Sequence, residues 1–273
     1  MNVMPPACPK QFFLLMFVLF ALLFIPPSAV AEPANETLGS LKDRFQNLYE
    51  CPGDRGLASF VGEVSCQQLS TIAQSMKLPI PEMTMVFQGG QQVKVMTNSA
   101  GENKGSPIND FRDGIMQSVE GFWQNYLTIG CFNLIKEIPG SATISVGSGC
   151  TVIDYPDRVP NHFGSLVFDG DFRLVKMVAK DTTSGFQSVL TPTWEKKDGR
   201  WVLDSLQTEF FSAGENTSNF LTRLKIENKK TNEFYLPSLV TMQARDGPPG
   251  KTSSVFLDFT LGPYRIASDS NSR

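Results

Sequence analysis

The chain has a single histidine, and it has no C-x-x-C, no G-x-S-x-G and no complete phosphate-binding loop. With one imidazole, His162, a histidine-rich metal site is excluded, and any Ser-His-Asp triad has to be built on that residue. Without a G-x-S-x-G elbow, no strained turn presents an activated serine. Without C-x-x-C, a dithiol redox centre has no support. His162 itself lies in RVPNHFG, which reads as a loop or strand edge. Basic charge is also scarce: 24 Lys and Arg stand against 27 Asp and Glu, for a net charge of −3. No basic stripe is present to neutralise phosphates, which excludes nucleic acid as a partner. A bilayer-spanning run is missing too. The stretch Phe12 to Ile25 is about 14 residues long, where a spanning helix needs about 20.

The nearest approach to nucleotide chemistry is ARDGPPGKTSSV, residues 244–255. A phosphate loop ending in Gly250-Lys251-Thr252 requires glycine at position 245, which is Arg245. It also requires a helix whose N-terminus faces the phosphate. Here Val255, Leu257, Phe259 and Leu261 follow at strand spacing instead. The glycines and prolines therefore read as a turn joining strands 234–244 and 253–266 in a hairpin, and nucleotide is excluded. Asp169-Gly170-Asp171 lacks the spaced carboxylates of a calcium loop and reads as a turn. Asn35-Glu36-Thr37 and Asn216-Thr217-Ser218 match only the short glycosylation pattern. The expectation is a non-enzymatic protein without metal or cofactor.

What is there begins with the short apolar run. Lys10 precedes it, Pro26-Pro27-Ser28 closes it, and Ala29-Val30-Ala31 supplies an A-x-A site. This is the order of a secretory signal peptide, residues 1–31, cleaved after Ala31. Cys8 precedes the apolar run, so it is not the lipid-modified cysteine of a lipoprotein signal. Residues 32–273 are then a single exported, periplasmic domain. Cys51, Cys66, Cys131 and Cys150 remain, an even number that reads as two disulfides with three connectivities open. Nearest-neighbour pairing, Cys51 with Cys66 and Cys131 with Cys150, closes two short loops, each worth about 3 kcal/mol in the chain-entropy model.

Periodicity then supplies the elements. Leu38, Leu41, Phe45 and Leu48 recur at helical spacing, and Cys51-Pro52-Gly53 stops that helix. A strand at 58–65 and a weaker helix at 67–76 follow. In PEMTMVFQGGQQVKVMT, Met83, Met85 and Phe87 alternate with polar or outward residues up to Gly89-Gly90, and Val93 and Val95 alternate after it. That is a hairpin. Residues 109–138 carry a wide apolar stripe that includes Phe122, Trp123, Tyr126 and Leu127, with Pro139 as a stop. Gly114, Gly121 and Gly130 inside it point to close packing or to a break near 128–130. Strands are then expected at 141–146, 163–168, 172–180, 186–195, 200–211, 219–228, 234–244 and 253–266. The total is about eleven, mostly joined as hairpins, in an α+β, mainly antiparallel fold. Phe220, Leu224 and Ile226 alternate with Arg223, Lys225 and Glu227, so that strand has one wet face. In 172–180, Phe172, Leu174 and Val178 fall on one face and Val175, Met177 and Ala179 on the other, so both faces read as apolar.

The helix L-x-x-R-F-x-x-L (Leu41, Arg44, Phe45, Leu48), the following LASFVGEV, the hairpin LPIPEMTMVFQGGQQVKVM, and the pair FYLPSLVTMQAR and VFLDFTLGPYRI resemble the bacterial outer-membrane lipoprotein carrier (LolA-like) family. That resemblance implies a curved half-barrel with helices covering its concave face, and a cavity for lipid or lipoprotein acyl chains. Four mature cysteines, the insertion at 51–55 and the long 109–138 segment depart from the carriers, so the resemblance implies lipid binding rather than delivery to a particular acceptor. The residues themselves suggest the same pocket between an apolar sheet face and an apolar helix. Met83, Met85, Phe87, Phe122, Trp123, Leu127, Leu257 and Phe259 are its expected lining. The alternative is that these residues fill a core, and that the chain is a protein-interaction or envelope-stress sensor module with an envelope protein as partner.

Overall fold

A computed structural model describes residues 36–75, 77, 82–88, 92–97, 123, 126–147, 149–215, 217–247 and 253–268. The chain divides into two units, residues 1–35 and 36–273, and all the described residues belong to the second. The signal-peptide reading and Phe122 lie outside them.

Among the described residues, twelve strands form one antiparallel sheet. They are β1 (Leu57–Cys66), β2 (Met83–Gln88), β3 (Gln92–Thr97), β4 (Thr143–Gly147), β5 (Cys150–Pro156), β6 (His162–Phe168), β7 (Leu174–Asp181), β8 (Gln187–Lys197), β9 (Arg200–Phe211), β10 (Phe220–Thr231), β11 (Phe234–Asp246) and β12 (Ser253–Ser268). The spatial order is β3-β2-β1-β12-β11-β10-β9-β8-β7-β6-β5-β4. Strands β4 to β12 run as a meander, and β1 closes on the far side of β12, bringing β2 and β3 with it. The sheet is open, with β3 and β4 at its edges. β11 and β12 pair directly, from Leu239↔Thr260 to Asp246↔Ser253, so the glycine–proline stretch between them joins a hairpin and no helix follows it.

The strand beyond the expected eleven is β5. It is joined to β4 by a tight turn, with Gly147 opposite Cys150 and Gly149 at φ +79°. The single motif Thr-Val-Ile-Asp-Tyr between that turn and Pro156 carries too little alternation to read as a strand. A second difference lies in β7. Phe172 is not in the strand but in the preceding turn, at φ +58°. A register shift then places Phe168 opposite Leu174 and Leu166 opposite Met177. Leu174 and Met177 therefore share a face, where strict alternation put them on opposite ones.

Helix α1 (Leu38–Leu48) starts with a reciprocal cap. The Thr37 hydroxyl accepts from the Ser40 N–H, and the Ser40 hydroxyl accepts from the Thr37 N–H. Its last carbonyls are met from the sheet, where Arg200 Nη1 donates to Gln46 O and Tyr49 O. Leu41 and Phe45 are buried. Tyr49 stacks on Phe45 at 3.9 Å and meets Trp194 edge-on at 4.7 Å. Helix α2 (Gln67–Ser75) continues directly from β1, with Leu69 and Ala73 buried. The stripe over 109–138 is described only from Trp123 on. There a helical stretch at 126–131 ends at Cys131, and turns at 134–137 precede Pro139. Its Tyr126 hydroxyl donates to Asn228 Oδ1 on β10, and Phe132 lies 5.7 Å from Phe87 on β2. α1 and this stretch thus pack into the same buried cluster as the sheet.

The four cysteines among the described residues are free thiols; Cys51, Cys66 and Cys131 are buried and Cys150 is exposed. The pairing of Cys51 with Cys66 is corrected by β1. Its ten residues hold Leu57 and Cys66 about 30 Å apart at strand rise. Six residue steps from Cys51 to Leu57 span at most about 21 Å, even without the 3₁₀ turn at Pro52–Arg55. A disulfide needs Cα atoms within roughly 7 Å. Cys131 and Cys150 are not joined either: the first is a buried thiol and the second an exposed one.

Candidate ligand-binding face

Of the eight residues expected to line a pocket, seven are described, and they belong to one cluster. Met83, Met85 and Phe87 point inward from β2, Leu257 and Phe259 from β12, and Trp123 and Leu127 come from the helical side. None is more than 7% exposed. Antiparallel register explains the sheet contribution: Met83 opposes Val64, Phe87 opposes Phe60, and Cys66 and Val64 oppose Phe259 and Leu261. The sequence stripe picked out residues that are buried together in one cluster.

The same face continues along the sheet beyond these residues. One cross-strand row runs Ile144–Ile153–Leu166–Met177–Leu190–Thr208–Thr222–Ala244–Val255, from β4 to β12. Ile153 and Leu166 are fully buried, Met177, Leu190, Thr208, Thr222 and Ala244 are half-buried, and Val255 is 50% exposed. A second row, Pro192–Leu206–Leu224–Met242–Leu257, lies on its sealed side. Beyond the first row, Phe210 opposes Phe220, and Phe186 stacks on Phe210 at 5.9 Å while remaining 43% exposed. Neither row contains a charged side chain, so this surface offers only dispersion, apolar burial and two threonine hydroxyls. Seen from the sequence, β8, β9 and β10 each show the needed alternation. What no single strand reveals is that Leu190, Thr208, Thr222, Ala244 and Val255 fall in register.

Groups bordering the buried part stay neutral. Burial pushes the Tyr126 phenol well above its ordinary value, and the Tyr264 phenol also rises, chiefly through burial. The Cys131 thiol is pushed up to about 12 by burial, with Glu50 adding to it. Burial also raises Tyr49, although the N–H of Leu174 opposes the shift. Tyr49 is a structural clamp: its hydroxyl accepts from Leu174 N at 2.6 Å and donates to Phe172 O at 2.9 Å.

Nucleophilic chemistry is not assembled around the one histidine. His162 lies at the start of β6 opposite Asp181, and its Nδ1 faces Pro160 O at 3.0 Å. The Ser184 hydroxyl donates to Asp181 Oδ2 at 2.6 Å, so serine and carboxylate bond directly without the imidazole between them. Asp169 accepts from the backbone N–H groups of Asp171 and Arg173 and from Arg173 Nε, the geometry of a closed turn. No group of three or more His, Cys, Asp or Glu able to hold a metal occurs among the described residues. No described helix is long and apolar enough to cross a membrane. The fold defined here is an open, helix-packed antiparallel sheet with an uncharged apolar face. No protein-family model matches the chain, and no curated protein or solved structure does so either.

Proposed function

We propose that this chain is an exported, non-enzymatic envelope protein that holds lipid or lipoprotein acyl chains against its apolar sheet face. The signal peptide ending at Ala31 sends it to the periplasm. The sheet curves as a half-barrel with α1 and the 126–131 stretch over its concave side, as in the LolA-like carriers the sequence resembles. One observation supports this above the others: the row from Ile153 to Val255 passes from full burial to half exposure without a charged side chain. An acyl chain extended along it replaces water on both row and ligand. Eight buried methylenes supply about 6 kcal/mol, a dissociation constant on the order of 10 µM. Native mass spectrometry of the protein purified from its own host tests the reading. Co-purified lipid of discrete mass is expected; protein arriving bare from several gentle preparations refutes it.

A second reading is favoured by a specific observation, the burial of all seven described lining residues in one packed cluster. In it the interior is filled, and the exposed apolar residues Phe186 and Val255 meet an envelope protein instead. It predicts no saturable acyl site, together with a stoichiometric protein complex.

A further inference from the structure

Two of the buried thiols belong to segments that dock on each other. Cys51 precedes the 3₁₀ turn, where its carbonyl accepts from Asp54 N and Arg55 N. Cys131 ends the helical stretch at 126–131. Between them Asp54 Oδ2 accepts from Asn133 N at 2.7 Å, and Asp54 Oδ1 pairs with Lys136 Nζ at 2.9 Å. Gly53 lies against the Phe132 ring, where an added Cβ would collide with it. Asn133 Nδ2 donates to Lys42 O, and Lys42 Nζ returns to Lys136 O at 2.8 Å. Residues 53 and 54 thus meet 132 and 133 in order, which leaves the thiols at 51 and 131 beside this contact. Both sit 2% exposed in the same cluster, and Cys131 lies within electrostatic reach of Cys51. The other two cysteines lie on strands far from each other in the sheet. Cys66 is on the third strand of the spatial order and Cys150 on the eleventh, eight spacings or about 38 Å along the sheet.

We propose that Cys51 and Cys131 form a disulfide bond in an oxidising compartment while Cys66 and Cys150 remain thiols; that the bond forms in the cell rests on the export reading. Each of the two thiols gives up one proton and one electron as the Sγ–Sγ bond forms. The oxidant is another disulfide, glutathione disulfide or that of a dithiol oxidoreductase, whose S–S bond breaks and leaves as two thiols. The link closes a loop of about 80 residues and ties the helical stretch carrying Trp123, Tyr126 and Leu127 to the α1–β1 junction. In the chain-entropy model such a loop shifts the unfolding equilibrium about a thousandfold.

The test refolds the purified full chain in a glutathione redox buffer, blocks free thiols by alkylation, and maps peptides without reduction. A Cys51–Cys131 peptide is expected, with Cys66 and Cys150 alkylated. It persists in the double variant Cys66→Ser/Cys150→Ser and vanishes in Cys51→Ser. Alkylated Cys51 and Cys131, or a Cys51–Cys66 or Cys131–Cys150 peptide, overturns the pairing. Mapping the protein isolated from its host separates the two readings. The same link in the cell supports both, whereas free thiols there beside a link formed in glutathione overturn export and leave the pairing standing.

Discussion

Replacing Tyr49 with phenylalanine removes one oxygen and nothing else, and the structure says where the cost falls. Leu174 stands opposite Phe168 on β6, but β8 pairs with β7 only from Met177 to Lys180, which leaves the start of β7 without a strand on that side. Leu174 is therefore buried with backbone groups that side chains must satisfy. Tyr49 Oη accepts from its N–H at 2.6 Å, and Trp194 Nε1 donates to its carbonyl at 2.8 Å. The same Tyr49 hydroxyl donates to the carbonyl of Phe172, itself only 1% exposed. Phenylalanine keeps the 3.9 Å stack on Phe45 and the edge contact with Trp194, so packing is unchanged. One donor and one acceptor are left buried without partners, each costing about 1–3 kcal/mol, for a total of roughly 2–6 kcal/mol. For a domain of this size that lowers Tm by about 4–24 °C. Urea unfolding followed by tryptophan fluorescence gives the number, with the slope m unchanged because the same surface is exposed. A loss below about 0.5 kcal/mol would falsify the assignment of Tyr49 as the partner of these groups.

Other perturbations follow from the same frame. Glu50 is 3% exposed in its side chain and receives both its bonds from Arg55 Nη1, at 2.7 and 2.6 Å. Arg55→Ala strands that carboxylate at a cost of about 3 kcal/mol, the lower end for buried pairs because Arg55 is 30% exposed. The double variant Glu50→Met/Arg55→Met recovers most of the loss in the same urea titration, and a double as unstable as the single contradicts this. At Gly62, an added Cβ meets the Tyr264 ring at 2.6 Å, and that ring is held by its hydroxyl bond to Pro237 O at 2.6 Å. Gly62→Ala is expected to cost about 1–3 kcal/mol, read calorimetrically, and a neutral result shows that the ring yields freely. Three carboxylates set the acid limb. At Asp169 burial pushes upward but is outweighed by bonds from the Arg173 backbone and side chain; Asp181 is lowered by the Ser184 hydroxyl and Thr183 N–H, and Asp198 by Lys230 and Tyr235. Folded values below the unfolded ones mean stability present above about pH 4 and lost as pH falls through the folded values. The urea midpoint should be flat from pH 7 to about 5 and fall below about 4, and Asp169→Asn should flatten that fall. A midpoint that drops already between pH 7 and 5 argues for a different titrating group.

Much of the fold was legible because local rules and tertiary context agree. The helical spacing of Leu41 and Phe45, the alternation of Met83, Met85 and Phe87, and the turn at Asp169-Gly170-Asp171 each coincide with the observed element. Failures occur where one residue breaks a period. The turn at Phe172 and the register shift after it put Leu174 and Met177 on one face, which strict alternation cannot show. β5 escaped because a five-residue alternation beside Pro156 is too short to stand out. The cysteine pairing was an error of another kind: the strand between Cys51 and Cys66 was already readable, and its length alone separates them. The candidate site was half legible. Its buried residues lie within single stripes, but its open row takes one residue from each of several strands and exists only through register.

The central claim is that the uncharged row from Ile153 to Val255 binds an acyl chain. Titration of a fluorescent long-chain fatty acid into delipidated protein tests it most directly, with the double variant Leu190→Lys/Val255→Lys alongside. The account predicts saturable binding with a dissociation constant on the order of 10 µM. It also predicts weakening of tenfold or more in the variant, with an unchanged circular dichroism spectrum. Absence of a saturable phase, or equal affinity in the folded variant, contradicts it.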